Sequence, residues 1–107
     1  MSDSAVLLTV LACREGSTWV VQAIEQDIAT QGDVLLEAII DLGRMFDVRD
    51  HLIATTPNVV NVGPAPIEYQ QAFLAGAPLG VLPLGTARIC RVHIGESPFA
   101  RNGRPSV

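Results

Sequence analysis

Apolar and polar residues change period several times along this chain, and each change marks a different kind of element. From Val6 to Cys13 the residues are almost continuously apolar and rich in Val, Leu and Thr, over a length that suits a strand and not a helix. Arg14-Glu15-Gly16-Ser17 then reads as a hairpin turn, with Gly16 free to take a positive φ. Thr18 to Glu25 alternates, with Trp19, Val21 and Ala23 on one face and Val20, Gln22 and Ile24 on the other, which predicts a second, antiparallel strand. Gln26-Asp27 permits another tight turn, and Ile28 to Gln31 completes a third short strand.

After Gly32-Asp33 the period becomes helical. Leu35, Ala38, Ile39, Leu42, Met45 or Phe46, Val48 or Arg49, and Leu52 fall on one side, and Glu37, Asp41, Arg44, Asp47 and Asp50 mainly on the other. Asp33 is placed to cap this helix, since its carboxylate suits the unpaired N–H groups and the positive dipole end. The predicted span is Val34 to about Ala54. Gly43 inside it costs roughly 1 kcal/mol relative to Ala, and marks either close packing or a weak point.

Thr55 to Gly85 has no single period. Five prolines and four glycines interrupt an otherwise apolar stretch, which reads as an insertion packed on the body or on another subunit. Within it Pro66 and Gly76 bracket a short helix over Ile67 to Ala75, Val59 to Val62 can be extended, and Gly76 to Gly80 reads as a loop. Thr86 to Ile94 is the last strand, and Gly95 to Val107 a polar, flexible tail. The resulting fold class is α+β: a small β-β-β-α-β sheet with one long helix on one face, plus a proline-rich insertion carrying a short helix before the last strand. Residues 1–94 form one domain, with the insertion at 55–85 and the tail at 95–107.

Composition sharpens this. Hydrophobic residues make up 49% of the 107, an ordinary share, but charged residues only 17%, against about 25% in typical domains. A small domain already has a high ratio of surface to volume, so the scarcity of charge implies that part of the surface is covered by a second copy, as a dimer or tetramer. Net charge is −4. Residues 1–56 hold nine acids against three arginines, and residues 57–107 two acids against four. An acidic body repels phosphate backbones, so direct DNA binding is not expected, whereas a basic protein partner is suited. Cys13 and Cys90 are isolated and read as buried thiols of a reducing cytoplasm. The acidic start and the short apolar run Ala5 to Ala12 indicate neither a signal peptide nor a membrane span.

Candidate chemistry is thin. Glu25, Asp27, Asp33, Glu37 and Asp41 are the carboxylates from which a two-metal nuclease site could be assembled, but Asp33 is accounted for as a cap and the helical acids as a wet face. His51 follows Asp47 by one turn and lies near a helix C-terminus, where it suits the unpaired carbonyls. His93 has no evident partner, and Arg88 and Arg91 fall on opposite faces of the last strand. No nucleophile elbow, Cys-x-x-Cys, Walker loop or dinucleotide fingerprint is present. Catalytic, cofactor and metal sites are therefore all read as absent. Interface candidates are the apolar and aromatic residues Trp19, Ile67, Tyr69, Phe73, Leu79, Val81 and Leu82.

The order of elements resembles the HicB-like antitoxin domain. The resemblance is carried by Gly16-Ser17-Thr18-Trp19-Val20-Val21-Gln22-Ala23 and by Thr30-Gln31-Gly32-Asp33-Val34-Leu35-Leu36-Glu37-Ala38, in which Gly-Asp precedes an acidic first helical turn. It covers about residues 5–50, and the last strand by order alone. It implies a partial ribonuclease-H-like fold without nuclease activity, with the last strand at an edge and parallel to the first. It also implies self-association and the masking of a small, basic, RNA-cleaving toxin of the HicA type. Leu36 departs from the family's usual acidic residue, the 55–85 segment is longer than the usual link, and the 13 residues after the last strand are too few for the family's DNA-binding module, so operator binding is not expected of them. The reading is a non-enzymatic, self-associating protein-binding domain of the bacterial cytoplasm; a carboxylate-based nuclease and a structural subunit of a larger assembly are the alternatives.

Overall fold

A computed structural model describes residues 6–56 and 62–99. It is an α+β arrangement in which one five-stranded mixed sheet, in the order β3-β2-β1-β5-β4, carries a helix on each face. The strands are β1 (Val6–Glu15), β2 (Thr18–Ala23), β3 (Ala29–Gly32), β4 (Ala77–Pro83) and β5 (Arg88–Ile94); the helices are α1 (Leu35–Thr55) and α2 (Ile67–Ala75). β1 and β5 pair in parallel at the centre, and every other neighbouring pair is antiparallel. Gly16, with φ 66°, turns the β1–β2 hairpin, where a side chain would meet the αL penalty.

The sheet has five strands, one more than the pattern predicts. The extra one is β4, drawn from the stretch read as an insertion, and its first residues are those read as a loop. Pro78, Gly80 and Pro83 hid it: prolines are tolerated in an edge strand, where an outward N–H is not required, and a register shift between Pro78 and Gly80 breaks the alternation. Because β4 adds outside it, β5 is an interior strand and not the edge the resemblance implies. Residues 59–61 of the stretch read as extended lie outside the described residues. The start of the tail docks: the Gly95 amide donates to the Ala12 carbonyl at 3.0 Å, and Phe99 meets Tyr69 edge-on at 5.3 Å.

The main core lies between the sheet and α1. Leu8, Val10 and Ala12 of β1, Val21 and Ala23 of β2, and Cys90 and Val92 of β5 face Ala38, Ile39, Leu42 and Phe46, with Leu84 beside them. Of the pairs left open by the pattern, Phe46 points inward and Met45 outward. Beyond Phe46 the helix runs past its apolar cover, leaving Val48, Leu52 and Ile53 exposed. Gly43 marks close packing: a Cβ there would stand 2.4 Å from the Gly85 amide nitrogen, and one on Gly85 2.6 Å from the Gly43 carbonyl oxygen. Two bare glycine backbones thus let the β4–β5 turn sit directly on α1.

The helix begins differently from the expectation for Asp33. The N-cap position is Val34, in extended conformation, and no side chain makes a cap hydrogen bond. Gly32 lies against the backbone of Ala38, and the Thr30 hydroxyl donates to the Ala38 carbonyl at 2.7 Å. The crossover is held by Thr30 from β3, so Asp33 falls one residue short of the cap.

Candidate functional site

Two carboxylates counted on the wet side of α1 turn toward the sheet's end. Asp47 accepts bonds from the Thr86 amide (3.0 Å), the Thr86 hydroxyl (3.3 Å) and the Arg88 guanidinium (2.8 Å), and Asp50 also pairs with Arg88. The Arg88 side chain is only 8% exposed, lies over the Phe46 ring and also donates to the Leu84 carbonyl. Burial acts against its charge, yet the bonds it donates to Asp47 and Asp50 outweigh it and raise its pKa above the ordinary value. The Thr86 amide, followed by Arg88, holds the Asp47 carboxyl below its ordinary value. The arrangement clamps the β4–β5 turn to α1 and leaves little of Arg88 for a ligand. The signal for it was the i, i+3 spacing of Asp47 and Asp50, which places both on one helical side.

Glu25, Asp27, Asp41 and His93 are also engaged within the fold. Where β2 ends, the Glu25 carboxylate continues the ladder, accepting from the Thr9 amide at 2.9 Å and the Thr9 hydroxyl at 2.5 Å. Asp27 accepts from the Gln22 side chain at 2.9 Å, and Asp41 pairs with Arg44. His93 stacks on Phe73 with ring centroids 3.8 Å apart, and its Nδ1 donates to the Phe73 carbonyl at 2.7 Å. His51 is exposed, and it is its carbonyl that is engaged, by the Thr55 hydroxyl. Burial pushes the Cys13 thiol up to about 11, with Glu15 adding to it, and burial likewise pushes Cys90 up to about 11. Among the described residues no three of His, Cys, Asp and Glu come together as metal ligands would, and no helix is long and apolar enough to cross a membrane.

What remains open is apolar surface, and most of it is not where the sequence pointed. Phe73 is buried in a second core under α2 with Leu11, Cys13 and Ile24, and Tyr69 packs against it. Trp19 and Leu82 pack against the main core, and Arg14 covers the Trp19 ring at 5.3 Å. Only Ile67, Leu79 and Val81 of the seven interface candidates are exposed.

The second face of the sheet is half covered. Its rows follow from the register: Leu11 beside His93, Thr9 beside Arg91, and Leu7 beside Ile89, with Val81 next to Arg91 and Pro83 next to Ile89. α2 lies over the first of these rows. A groove of about 360 Å³, lined by Thr9, Glu25, Gln70, Leu74 and Arg91 among others, opens where its cover stops. Beyond it Leu7 is 46%, Val81 53% and Leu74 of α2 70% exposed. Sequence did hold a signal for this: a strand apolar at consecutive positions, as at Leu7-Leu8, is built for cover on both faces, and here Leu8 is covered and Leu7 is not.

Comparison with protein-family models, with curated proteins and with solved structures finds no match to this chain. The half-covered face therefore stands on its geometry alone.

Proposed function

We propose that this chain is a non-enzymatic protein-binding domain of the HicB-like kind, which self-associates and receives a second protein on the open half of its second sheet face. The observation that carries the proposal is the apolar row of Leu7, Ile89 and Pro83, bordered by Val81 and Leu74, which runs from the central strands to the edge strand β4, with Ile89 half-buried and the others exposed. A contiguous apolar patch on the middle of a sheet marks an interaction site, because leaving it in water costs about 25 cal/mol for every Å² that a partner would bury. The commitment of Glu25, Asp27, Asp47 and His93 to internal bonds supports a role without catalysis. The partner is a protein with a complementary apolar surface and net positive charge, which the chain's −4 favours; a small, basic, RNA-cleaving toxin in the cytoplasm fits that description.

The test is co-expression with the product of the adjacent reading frame, followed by solution mass and titration. The wild-type chain is expected to form a complex, and the pair Leu7→Glu and Leu74→Glu to abolish it while leaving circular dichroism unchanged. Full binding by that folded double variant sets the proposal aside.

A further inference from the structure

The two edges of the sheet are not equivalent. β4 carries Pro78 and Pro83 and a register shift, devices that blunt an edge against pairing. β3 carries none. The Ala23 amide donates to the Ile28 carbonyl at 2.9 Å, and bonded pairs recur at every second residue of an antiparallel ladder. By the register of β2 on β3, Thr30 and Gly32 therefore turn their amide and carbonyl groups to β2, and Ala29 and Gln31 turn theirs outward. Those two outward donors and two outward acceptors have no bond to a described residue outside the strand.

Above this edge, on the α1 side, lies a shallow pocket of about 400 Å³ lined by Thr30, Asp41, Arg44, Met45 and Val48. Met45 is 49% and Val48 59% exposed, on a helix whose opposite side, at Ala38, Ile39, Leu42 and Phe46, is buried on the same sheet. Asp41 and Arg44 are its only charged members, one of each sign.

We infer that β3 pairs antiparallel with β3 of a second copy, making one continuous ten-stranded sheet with a two-fold axis at Thr30. With Thr30 opposite Thr30, Ala29 of each copy faces Gln31 of the other, and all four outward groups of each strand find partners. The α1 face is then shared. Strands about 4.8 Å apart bring helices over neighbouring edges within packing distance, about 8–10 Å. Met45 and Val48 of both copies close the two pockets against each other. The two-fold also makes the charges self-complementary, since Asp41 of each copy meets Arg44 of the other. Four backbone bonds, an apolar seam and two ion pairs thus come from one set of residues. This pairing specifies the self-association in the function proposed above and uses a different surface from its partner-binding half.

The experiment is solution mass by light scattering over a dilution series. The wild-type chain is expected at twice its own mass. Gln31→Pro removes an outward N–H that the monomer does not use, and is expected to run as a monomer with unchanged circular dichroism. Val48→Lys, at an exposed helix position, is expected to do the same and stands in if the proline variant does not fold. Asp41→Arg places arginines opposite arginines and is expected to weaken the dimer at least tenfold, and adding Arg44→Asp to restore it. A monomeric wild-type chain at its highest soluble concentration overturns the inference. So does a dimer that survives Gln31→Pro and Val48→Lys but splits on Val81→Asp, which would move the contact to the other side of the sheet. Loss of toxin binding by Leu7→Glu and Leu74→Glu tests the other surface, so failure of one is distinguishable from failure of the other.

Discussion

On its α1 side the sheet presents Leu8, Val10, Val21, Cys90 and Val92 beneath Leu42 and Phe46, all buried. On the opposite side Leu11 and Cys13 lie beneath Phe73, but Leu7, four residues back along β1, is 46% exposed. The same two central strands thus carry one face covered from Leu8 onward, with Val6 exposed at the strand's start, and one left open at Leu7. The difference has a cause in helix length. α1 has 21 residues and α2 nine; at 1.5 Å per residue they span about 31 and 14 Å. The shorter helix, docked at the end where β1 meets Gly95, does not reach the row at Leu7.

That contrast requires unequal losses when the large aromatic on each side is truncated. Phe46 is fully buried, with Arg88 and Arg49 over its ring. Phe46→Ala is expected to cost about 3–5 kcal/mol, read by urea denaturation. Phe73 is nearly buried but borders the open groove, so its neighbours and water can enter the space. Phe73→Ala is expected to cost about 2–3 kcal/mol, at or below the low end of that range. Equal losses would mean that both faces are packed alike.

A second, smaller contrast is set by acidity. The α1 side is fastened by a carboxylate whose pKa is depressed, that of Asp47. A depressed carboxyl contributes stability that is fully present above its unfolded value, 3.8, and is lost as pH falls through the lower folded value. Stability should therefore fall with acid in that window, and Asp47→Asn should flatten the fall while lowering stability at neutral pH. Denaturation midpoints between neutral pH and pH 3 check this; parallel curves for the two proteins would show that the clamp on Thr86 and Arg88 contributes nothing.

Much of this fold was legible because period and burial agree. The strands at Val6, Thr18 and Ile28 and both helices follow from apolar spacing, and α2 matches Ile67–Ala75, the span bracketed by Pro66 and Gly76. β4 was not legible, because Pro78, Gly80 and Pro83 are residues that an interior strand excludes and an edge strand accepts, and only tertiary position says which it is. For the same reason, deleting 55–85 would remove α2 and β4 together and would not test an appended segment. The candidate surface was legible in part. Ile67, Leu79 and Val81 were singled out and are exposed, while Tyr69 and Phe73 serve the second core. Leu7 was hidden in a run that spacing alone assigns to a buried strand, and Asp47 and Asp50 in a helical face that looked wet until β5 placed Arg88 beside them.

The smallest expected effect on stability gives the sharpest test of the unfinished face. Val81 lies on the edge strand, 53% exposed, in register with Arg91. In the isolated chain Val81→Asp removes little packing and places a carboxylate beside an exposed guanidinium, so its cost is expected within about 0.5 kcal/mol. A residue covered by a partner behaves differently, because the new carboxylate and Arg91 beside it would both lose their water there, and desolvating an ion pair can cost more than its attraction returns. The same substitution is therefore expected to leave thermal unfolding of the free chain almost unchanged and to weaken the complex at least a hundredfold. A loss of 2 kcal/mol or more in the free chain, about the cost of a buried core residue, would mean that Val81 is already covered and that the second face is complete without a partner.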